Sequence, residues 1–590
     1  MLARILVWQK KHLSPRNLVL LLSIVVGAGT ALSACLLKMV CRQLQVFLTE
    51  DFVPGITSYL YFTLPVMGIL LNGFLIQVLN KGVLTRGIPL VIHSILKNNS
   101  LLPMRNAYLQ MLSTAVTVGF GGSAGVEGPG VAIGGAIGSN VGKQFRLNAR
   151  RRTVLMACGA AAVTAAVFNA PITGVVFTLE ILALEMRVSN LLPVLLASVT
   201  GAVVGKLLLN NGILFQYMLH ETFWLGQIPF YLCLGIVSGL VATYFAKTFY
   251  FIEGKLKSIP NPFFRTLLGA LLLGTLIFLL PPLFSEGYRT IRLLLAGHPE
   301  YLVSNSLLFD EIGGSRFAML IFLGTLTLCK VMGLAFTAGS GGNGGFFAPS
   351  LYTGALTGYL FANAVNALFP PTWHLSETNC TLVGMAGVMS GIMHAPLTAI
   401  FLIAEITGGY ELLIPLMLVT SLSYVTSTYF VPYSVFHSSL ARSGDWIAHD
   451  PDRQVLTMLQ LEPLIEKDFA IVKPENNLQD LIDAVKKSKR NIFPVLGAQK
   501  DLKGIIILDD IRHIMFQSNL YQTVFVHQIM HTPPALVDLD VDNMDSVMQH
   551  FEQSGAWNLP VVRQGKYVGI LSKSKIFSAY RQLLVERGKE

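Results

Sequence analysis

Charged side chains are scarce in this chain. They make up 13% of its 590 residues, against roughly 25% in an average soluble domain. Hydrophobic residues reach 53%, and the mean hydropathy is +0.58. This balance excludes a disordered or collagen-like chain and predicts an integral membrane protein with the lipid bilayer as its surroundings.

Cysteine is also rare, and no cysteines stand at the spacing of metal ligands. A secreted disulfide scaffold is therefore excluded, and we expect no metal site. Most of the cysteines lie in apolar stretches, which indicates packing residues. The six are Cys35, Cys41, Cys158, Cys233, Cys329 and Cys380.

Acidic residues are fewer than basic ones, and the net charge is +10. The basic residues flank apolar runs instead of following one amphipathic face, which argues against nucleic acid as a partner. Arg4, Lys10, Lys11 and Arg16 precede the apolar run 18–40. The positive-inside rule then predicts a cytoplasmic start, and we expect both termini in the cytoplasm and the protein in the plasma (inner) membrane.

Apolar runs follow one another as far as Arg442. Some are long enough to span a bilayer, and others are short and bounded by Gly or Pro, which indicates broken helices. The long runs include 59–79, 191–209, 231–251, 267–283, 317–336 and 412–431. The short pieces are 88–96, 131–137, 382–393 and 397–406.

The apolar part of the chain is duplicated. The segment 168–173, with Glu180 after it, recurs 225 residues later as 393–398 with Glu405 after it. Nearly the same offset carries the Gly-rich stretch 121–129 onto 339–349. Paired interrupted segments in two halves predict a transport site where the halves meet.

Three of the Gly- and Pro-containing breaks, 86–89, 121–129 and 345–349, have the composition of helix starts. Free N–H groups and the positive end of the helix dipole suit an anion, so three converging starts would form an anion site. Glu127 lies in one of them and is predicted to be a gate that blocks the site when ionised and leaves it when protonated. Glu180 and Glu405 are expected to hold the scaffold through hydrogen bonds to backbone.

Two functions of a different class fit the sequence less well. The stretch 121–125 fits G-x-S-x-G, which would make Ser123 the nucleophile of an intramembrane hydrolase, but that motif belongs to a soluble strand-to-helix elbow. A cation transporter would need acidic rings at the broken helices, and Glu127 alone does not supply one. We therefore expect no enzyme.

Residues after Arg442 form a different region. Charges become frequent, apolar runs shrink to strand length, and the pattern 491–495 with 504–506 repeats as 558–562 with 569–571. This texture predicts a soluble α/β tail with an internal repeat.

The motifs described above resemble those of the CLC family of chloride channels and chloride/proton antiporters. Members carry G-S-G-I-P, G-[KR]-E-G-P and G-x-F-x-P segments, which match 85–89, 125–129 and 345–349 here. The resemblance implies a polytopic α-helical membrane protein with two inverted-topology halves and broken helices, followed by an α/β cytoplasmic tandem CBS domain. It also implies a homodimer with one pore in each subunit.

The resemblance assigns anion-binding and pore-lining positions to three helix starts and one late residue. Glu127 matches the gating glutamate of the family. The other positions are Arg86, Gly87, Ile88, Gly128, Phe346, Phe347, Ala348 and Phe436.

Two of these positions depart from the family. Arg86 replaces the usual pore serine, and Phe436 stands where the pore tyrosine is expected, with Tyr433 nearby. Both hydroxyl donors to the anion are then missing. Arg86 is expected either to replace them by direct charge or to turn to the cytoplasmic mouth and attract anions from bulk water.

A third departure concerns the coupling to protons. Antiporters of the family carry a relay glutamate directly after the residue that matches Glu180, and this chain has Ile181 there. Isoleucine cannot carry a proton, so a passive anion channel is favoured over a chloride/proton antiporter, which stays open because water can replace the relay. Chloride is the expected ion.

The tail matches the nucleotide-binding loops of CBS domains only in part. The first loop keeps Asp510, and the second keeps Ser572 and has Lys575 in place of an acid. No cofactor is expected to be required, and an adenosine nucleotide and a purely structural role are both left open. The predicted boundaries are 1–17 for a cytoplasmic segment, 18–442 for the transmembrane domain with halves of about 18–225 and 226–442, 443–457 for a linker, and 458–518 and 519–590 for the two CBS motifs.

Overall fold

A computed structural model describes residues 14–48, 57–80, 87–182, 187–209, 223–302, 316–438, 441 and 459–589. The chain divides into two compact units, Met1–Trp446 and Ile447–Glu590. Each unit has its own hydrophobic clusters.

The first unit is built from helices joined by short connections. Its helices are α1 (Pro15–Val46), α2 (Thr57–Asn80), α3 (Gly87–Lys97), α4 (Met104–Gly119), α5 (Glu127–Gln144), α6 (Ala149–Phe168), α7 (Pro171–Glu180), α8 (Val188–Leu209), α9 (Ile228–Lys257), α10 (Pro262–Leu279), α11 (Tyr288–Leu295), α12 (Arg316–Gly339), α13 (Phe347–Leu368), α14 (Glu377–Met393), α15 (Pro396–Thr407) and α16 (Leu413–Phe430). Eight helices among the described residues are long and apolar enough to cross a membrane. The short apolar helices α3, α7 and α15 stand between them.

Most of the apolar runs read from the sequence lie within these helices, but two features differ. The run 267–283 is interrupted because Pro281 and Pro282 follow α10, which ends at Leu279. The short pieces 131–137 and 382–393 lie inside helices of 18 and 17 residues, α5 and α14.

Close glycine contacts explain why α5 and α14 are longer than their apolar pieces. An ideal Cβ on Gly134 would lie 2.4 Å from the Gly159 carbonyl oxygen of α6, and one on Gly384 would lie 2.6 Å from the Gly354 carbonyl oxygen of α13. The helix backbones therefore touch along these faces, and burial against a neighbour stabilises the helices where side-chain hydrophobicity is low.

The duplication is visible in the helix order of the first unit. α6 is followed by its C-cap residue Asn169 in the left-handed conformation with φ of 54°, and α14 is followed by His394 with φ of 55°. A short helix begins two residues later in both cases, at Pro171 and at Pro396. The repeated sequence segments thus form the same local structure in each half.

The second unit combines small sheets with helices. Its elements are α17 (Leu478–Lys487), β1 (Ile492–Leu496), β2 (Leu502–Ile507), α18 (Leu508–Ile511), α19 (Val526–Ile529), β3 (Val537–Asp538), α20 (Met544–Ser554), β4 (Asn558–Arg563), β5 (Lys566–Ser572) and α21 (Lys573–Lys589). β1 pairs antiparallel with β2, and the second sheet has the order β3-β4-β5, with β3 and β4 parallel. The repeated sequence patterns form the two hairpins β1-β2 and β4-β5.

Each hairpin also pairs with chain from the neighbouring repeat. Glu466, which precedes the first hairpin, exchanges two backbone hydrogen bonds of 2.9 Å with Ile570 on β5. His531, which precedes the second hairpin, does the same with Ile505 on β2. The two repeats are therefore interlocked into one body and cannot be separated without breaking these bonds.

Candidate anion-binding site

Two Gly-rich loops are hydrogen-bonded to each other in the first unit. The Gly125 N–H donates to the Gly345 carbonyl at 3.0 Å, and the Gly345 N–H donates back at 2.6 Å. α5 begins two residues after Gly125, and α13 begins two residues after Gly345. This bridge fixes the amino ends of the two helices side by side.

The two loops are packed backbone against backbone. An ideal Cβ on Gly345 would lie 2.7 Å from the Gly128 nitrogen, and one on Gly344 would lie 2.2 Å from the Ala124 Cβ. Real Cβ atoms are not found at such separations, so glycine is required here for close approach.

Threonines brace the same loops from the helices before them. Thr117 on α4 accepts a hydrogen bond of 3.0 Å from the Asn343 N–H, and Thr337 on α12 accepts one of 3.2 Å from the Ser123 N–H. Each half therefore supplies a hydroxyl to the Gly-rich loop of the other half. The Asn343 amide adds a bond of 2.8 Å to Gln110.

The third predicted helix start lies at the same place. α3 begins at Gly87, which has φ of +52°, and an ideal Cβ there would lie 3.4 Å from the carbonyl carbon of Gly128. Gly87, Ile88 and Gly128 are all buried. The amino ends of α3, α5 and α13 therefore meet, whereas Arg86 lies outside the described residues.

Phenylalanine rings enclose this meeting point. Phe346 contacts Phe436, with ring centroids 5.9 Å apart, and Phe249, at 4.7 Å. Phe347 packs instead on Phe168 and Phe177, at 6.0 and 5.7 Å. The structure thus brings together Phe346 and Phe436, two positions that the resemblance assigns to the pore, and Phe436 is only 1% exposed.

Glu127 lies at the first position of α5, and its side chain is buried. Its Oε1 accepts a hydrogen bond of 2.7 Å from the Tyr288 hydroxyl. Its Oε2 lies over Gly125, 2.3 Å from where a Cβ would be, and the Ala348 amide faces the carboxylate. The carboxylate therefore occupies the space between the starts of α5 and α13.

Further ionisable groups surround Glu127. Glu286 accepts a hydrogen bond of 3.3 Å from the Val126 N–H, and Lys38 lies 5.9 Å from the Tyr288 ring. Lys330 is buried and donates to the carbonyls of Leu283 and Ser285 at 3.3 and 2.9 Å.

Sequence reasoning missed these groups. Lys38 and Lys330 are isolated charges in apolar runs, which marks ionisable groups with a function inside a membrane. Glu286 lies at the end of the connection between α10 and α11, and Tyr288 is the first residue of α11. Nothing in the short polar stretch 285–289 indicates their contact with Glu127.

The paired glutamates hold the two halves together. Glu180 accepts hydrogen bonds of 2.9 and 2.7 Å from the Leu397 and Thr398 amides at the start of α15. Glu405 accepts bonds of the same lengths from Ile172 and Thr173 at the start of α7. Each carboxylate caps the short helix of the other half, which is the backbone role expected from the sequence.

Two other predicted positions are also placed. Ile181 is buried at the end of α7, where its N–H donates to the Phe177 carbonyl at 2.9 Å. Ser123 is buried in the Gly-rich loop, and its hydroxyl has no hydrogen-bond partner among the described residues. The activating base that a hydrolase needs is thus not found beside Ser123 in the part of the chain that the structure covers.

Of the nucleotide-binding residues expected in the second unit, Ser572 and Lys575 line a cavity of about 350 Å³. Arg490 and Glu466 form an ion pair of 2.7 Å in the same cavity, and the Arg490 guanidinium lies 5.0 Å from the Phe469 ring centre. Asp510 is elsewhere, 3.4 Å from His531. The structure therefore brings two of the three residues together and separates the third.

Comparison with known proteins identifies the family. Residues 67–428 match the model of the voltage gated chloride channel family, and residues 526–582 match the CBS domain. The first match covers more than half of the chain, which therefore belongs to the voltage gated chloride channel family, the CLC family. The family and the fold class predicted from the sequence are both confirmed.

Similar proteins come from bacteria and plants. A putative chloride channel protein ClcB-like of Ralstonia nicotianae is 29% identical over 435 residues, which span 71% of this chain and 96% of that protein. The chloride channel protein CLC-f of Arabidopsis thaliana is 28% identical over 462 residues, 69% of this chain and 57% of the plant protein.

Solved structures show the same fold. A slow cyanobacterial Cl⁻/H⁺ antiporter has a TM-score of 0.62 at 22% identity and covers 73% of this chain and 98% of its own. A CLC-type fluoride/proton antiporter has a TM-score of 0.58 at 25% identity and covers 71% and 97%. The chain is thus an integral membrane protein of a family of anion transporters and channels.

Proposed function

We propose that this protein is an anion-selective channel, with chloride as the expected ion and Glu127 as its gate. The observation that carries the proposal is the position of the Glu127 carboxylate between the starts of α5 and α13. A negative group already occupies the space that suits an anion, so the same amide groups and dipoles are available to chloride once the carboxylate leaves.

Several predicted residues have roles in this proposal. The amides of Gly128, Phe346, Phe347 and Ala348 coordinate the anion, Gly87 and Ile88 bring the start of α3 to it, and Phe436 lines the path. Arg86 adds positive charge, either at the anion itself or at the cytoplasmic mouth.

A passive channel is supported by Ile181. This residue is buried at the end of α7, at the position where a proton relay is expected in an antiporter, and its hydrocarbon side chain has no group that can carry a proton. The second candidate is a chloride/proton antiporter, which is favoured by the similarity to two solved structures that are both proton antiporters.

The assembly proposed is a homodimer in the plasma (inner) membrane with both termini in the cytoplasm. The groups placed at the site, Glu127, Tyr288, Phe346 and Phe436, all belong to one chain. Each subunit therefore contains its own anion path in this proposal, and the second unit is a cytoplasmic tandem CBS domain.

An adenosine nucleotide is proposed as a regulatory ligand of the second unit. Its cavity offers the aromatic ring of Phe469, the cationic groups of Lys489, Arg490 and Lys575, and the hydroxyl of Ser572. These groups suit a base and phosphates. The ligand is not required for anion flux.

Chloride flux from proteoliposomes tests the gate. Flux through the wild-type protein should rise as the pH falls, because protonation neutralises Glu127 and releases it from the positive helix starts. Glu127→Gln carries a neutral amide at every pH, so its flux should be high and lose most of its pH dependence.

Glu300→Gln is the matched control, since Glu300 is an exposed carboxylate in the connection after α11. It should keep the wild-type profile. An unchanged pH profile in Glu127→Gln would contradict the gate. Uphill proton movement driven by a chloride gradient would instead establish the antiporter.

A further inference from the structure

The segment 285–288, at the end of the connection between α10 and α11, makes direct contact with the gate. Tyr288, the first residue of α11, donates a hydrogen bond of 2.7 Å to Glu127 Oε1. Glu286 accepts a bond from the N–H of Val126, the residue directly before the gate. One short segment therefore contacts both the gate side chain and the backbone that carries it.

Buried hydrogen bonds hold this segment in place from three directions. Lys330 on α12 donates to the Ser285 carbonyl at 2.9 Å, and Gln45 on α1 donates to the Ser285 hydroxyl at 2.6 Å. The Ser285 N–H donates to the Gly121 carbonyl of the Gly-rich loop at 3.1 Å. The position of the segment is thus determined by the helices that also build the anion site.

Gly287 fixes the direction of Tyr288. It has φ of +88°, and a Cβ there would lie 2.4 Å from the Tyr352 ring. The segment therefore passes close over the Tyr352 ring. The Lys330 ammonium group contacts the same ring and lies 4.8 Å from its centre. A backbone held in this way leaves the Tyr288 hydroxyl little freedom to follow the gate when the gate moves.

We propose that Tyr288 is a latch that holds the ionised Glu127 in its blocking position. The proposal rests on the gate role of Glu127 and names a positioning residue for it. A hydroxyl bonded to a carboxylate favours the charged form, since the ionised oxygen is the stronger acceptor. Opening then requires both loss of the charge and rupture of the Tyr288 bond.

The other charged and titratable groups around the gate stay in place when the hydroxyl is removed. They are Lys38 and Cys41 on α1, Glu286 in the connection, and Lys330 on α12. A change in pH profile caused by Tyr288→Phe therefore reports the lost hydroxyl and not a change in the charges near the gate.

Tyr288→Phe tests the latch in proteoliposomes of the full-length protein. We expect flux at neutral pH to rise about tenfold and the half-activating pH to move upward by about one unit, as for the loss of one bond to a charged group. In the Glu127→Gln background the same change should have no effect, because the neutral amide is no longer held as a charged gate.

Tyr244→Phe is the matched control, since the Tyr244 hydroxyl donates to the Leu328 carbonyl and not to the gate. Its flux and pH profile should equal those of the wild type. Glu286→Asp is the second variant; it keeps the Tyr288 ring and the negative charge beside Glu127, and its shorter side chain moves the carboxylate away from the Val126 N–H. It weakens the hold on Val126, so we expect a smaller shift in the same direction, and this variant decides the matter should Tyr288→Phe fail to fold.

The outcomes separate the latch from the gate. A wild-type profile in both Tyr288→Phe and Glu286→Asp, with the pH dependence still lost in Glu127→Gln, would overturn the latch and leave the gate. A pH dependence that survives in Glu127→Gln would overturn both the latch and the gate. An equal effect of Tyr288→Phe with and without Glu127 would show a merely structural role and would also overturn the latch.

Discussion

Gly345 shows how the candidate anion site depends on the lack of a side chain at one residue. The methyl group of an alanine would lie 2.7 Å from the Gly128 nitrogen and 3.0 Å from its Cα, both of them backbone atoms that cannot rotate away. The starts of α5 and α13 would have to separate. The helix dipoles would then no longer point at one common position.

Gly345→Ala is therefore expected to weaken chloride binding at least tenfold and to lower the free energy of unfolding by about 1–3 kcal/mol, the usual cost of overpacking. Isothermal titration with chloride and thermal unfolding in detergent measure the two effects. Gly324→Ala is the control, because the space around Gly324 on α12 is open. Normal chloride binding by Gly345→Ala would show that the two helix starts do not need to touch.

The sequence reveals some residues of the site and hides others for a physical reason. Glu127 can be found because a carboxylate in a Gly-rich apolar segment is costly unless it has a function. Tyr288 cannot be found in this way, since its partner lies 161 residues away and its own neighbourhood is polar. Contacts between distant segments depend on packing, which a single sequence does not display.

At the scale of elements, the short helices α7 and α15 depend on each other's half for their caps. The Glu180 carboxylate accepts two hydrogen bonds from backbone amides of α15 and one from the Thr398 hydroxyl, at 2.9, 2.7 and 2.6 Å. The Glu405 carboxylate accepts three hydrogen bonds of the same lengths from α7, two from backbone amides and one from the Thr173 hydroxyl. The first N–H groups of a helix have no partner inside the helix, so both carboxylates satisfy groups that lipid could not.

Glu180→Ala and Glu405→Ala are expected to destabilise the protein by similar amounts. Each leaves two amides and a hydroxyl without their acceptor, which costs about 1–3 kcal/mol for each buried group. The thermal midpoint in detergent measures this, and Glu411→Ala, at an exposed position, is the control. A large loss in only one of the two variants would contradict the equivalence of the two caps.

For the helices, the sequence predicts positions better than lengths. The duplicated motif predicts matching positions for α7 and α15, and in both halves the structure begins a helix at the Pro two residues after the left-handed residue. The length of α5 was not predicted from the piece 131–137, since glycines at helix contacts lower the hydrophobicity while the packing of the backbone stabilises the helix.

At the scale of the whole molecule, the chain joins a helical membrane unit to a second unit that has its own core. In the membrane unit, duplication places the amino ends of α5 and α13 in related positions, and the bridge between Gly125 and Gly345 joins them. In the second unit, the interlocked repeats create the cavity around Ser572 and Lys575. Both candidate sites thus lie where two copies of a repeat meet.

The last prediction concerns that cavity and the proposed adenosine nucleotide. ATP added to the full-length protein in detergent should raise the thermal midpoint, because a ligand that binds only the folded state stabilises it. Lys575→Ala should weaken binding about tenfold, as expected for one charge-assisted phosphate contact. Asp510→Asn is the control, since Asp510 pairs with His531 outside the cavity and its loss should leave the affinity unchanged. Equal weakening by both variants would place the nucleotide elsewhere. No shift of the thermal midpoint with the wild-type protein would favour a structural role for the tail. In that case Arg490 stays paired with Glu466 and does not bind phosphate.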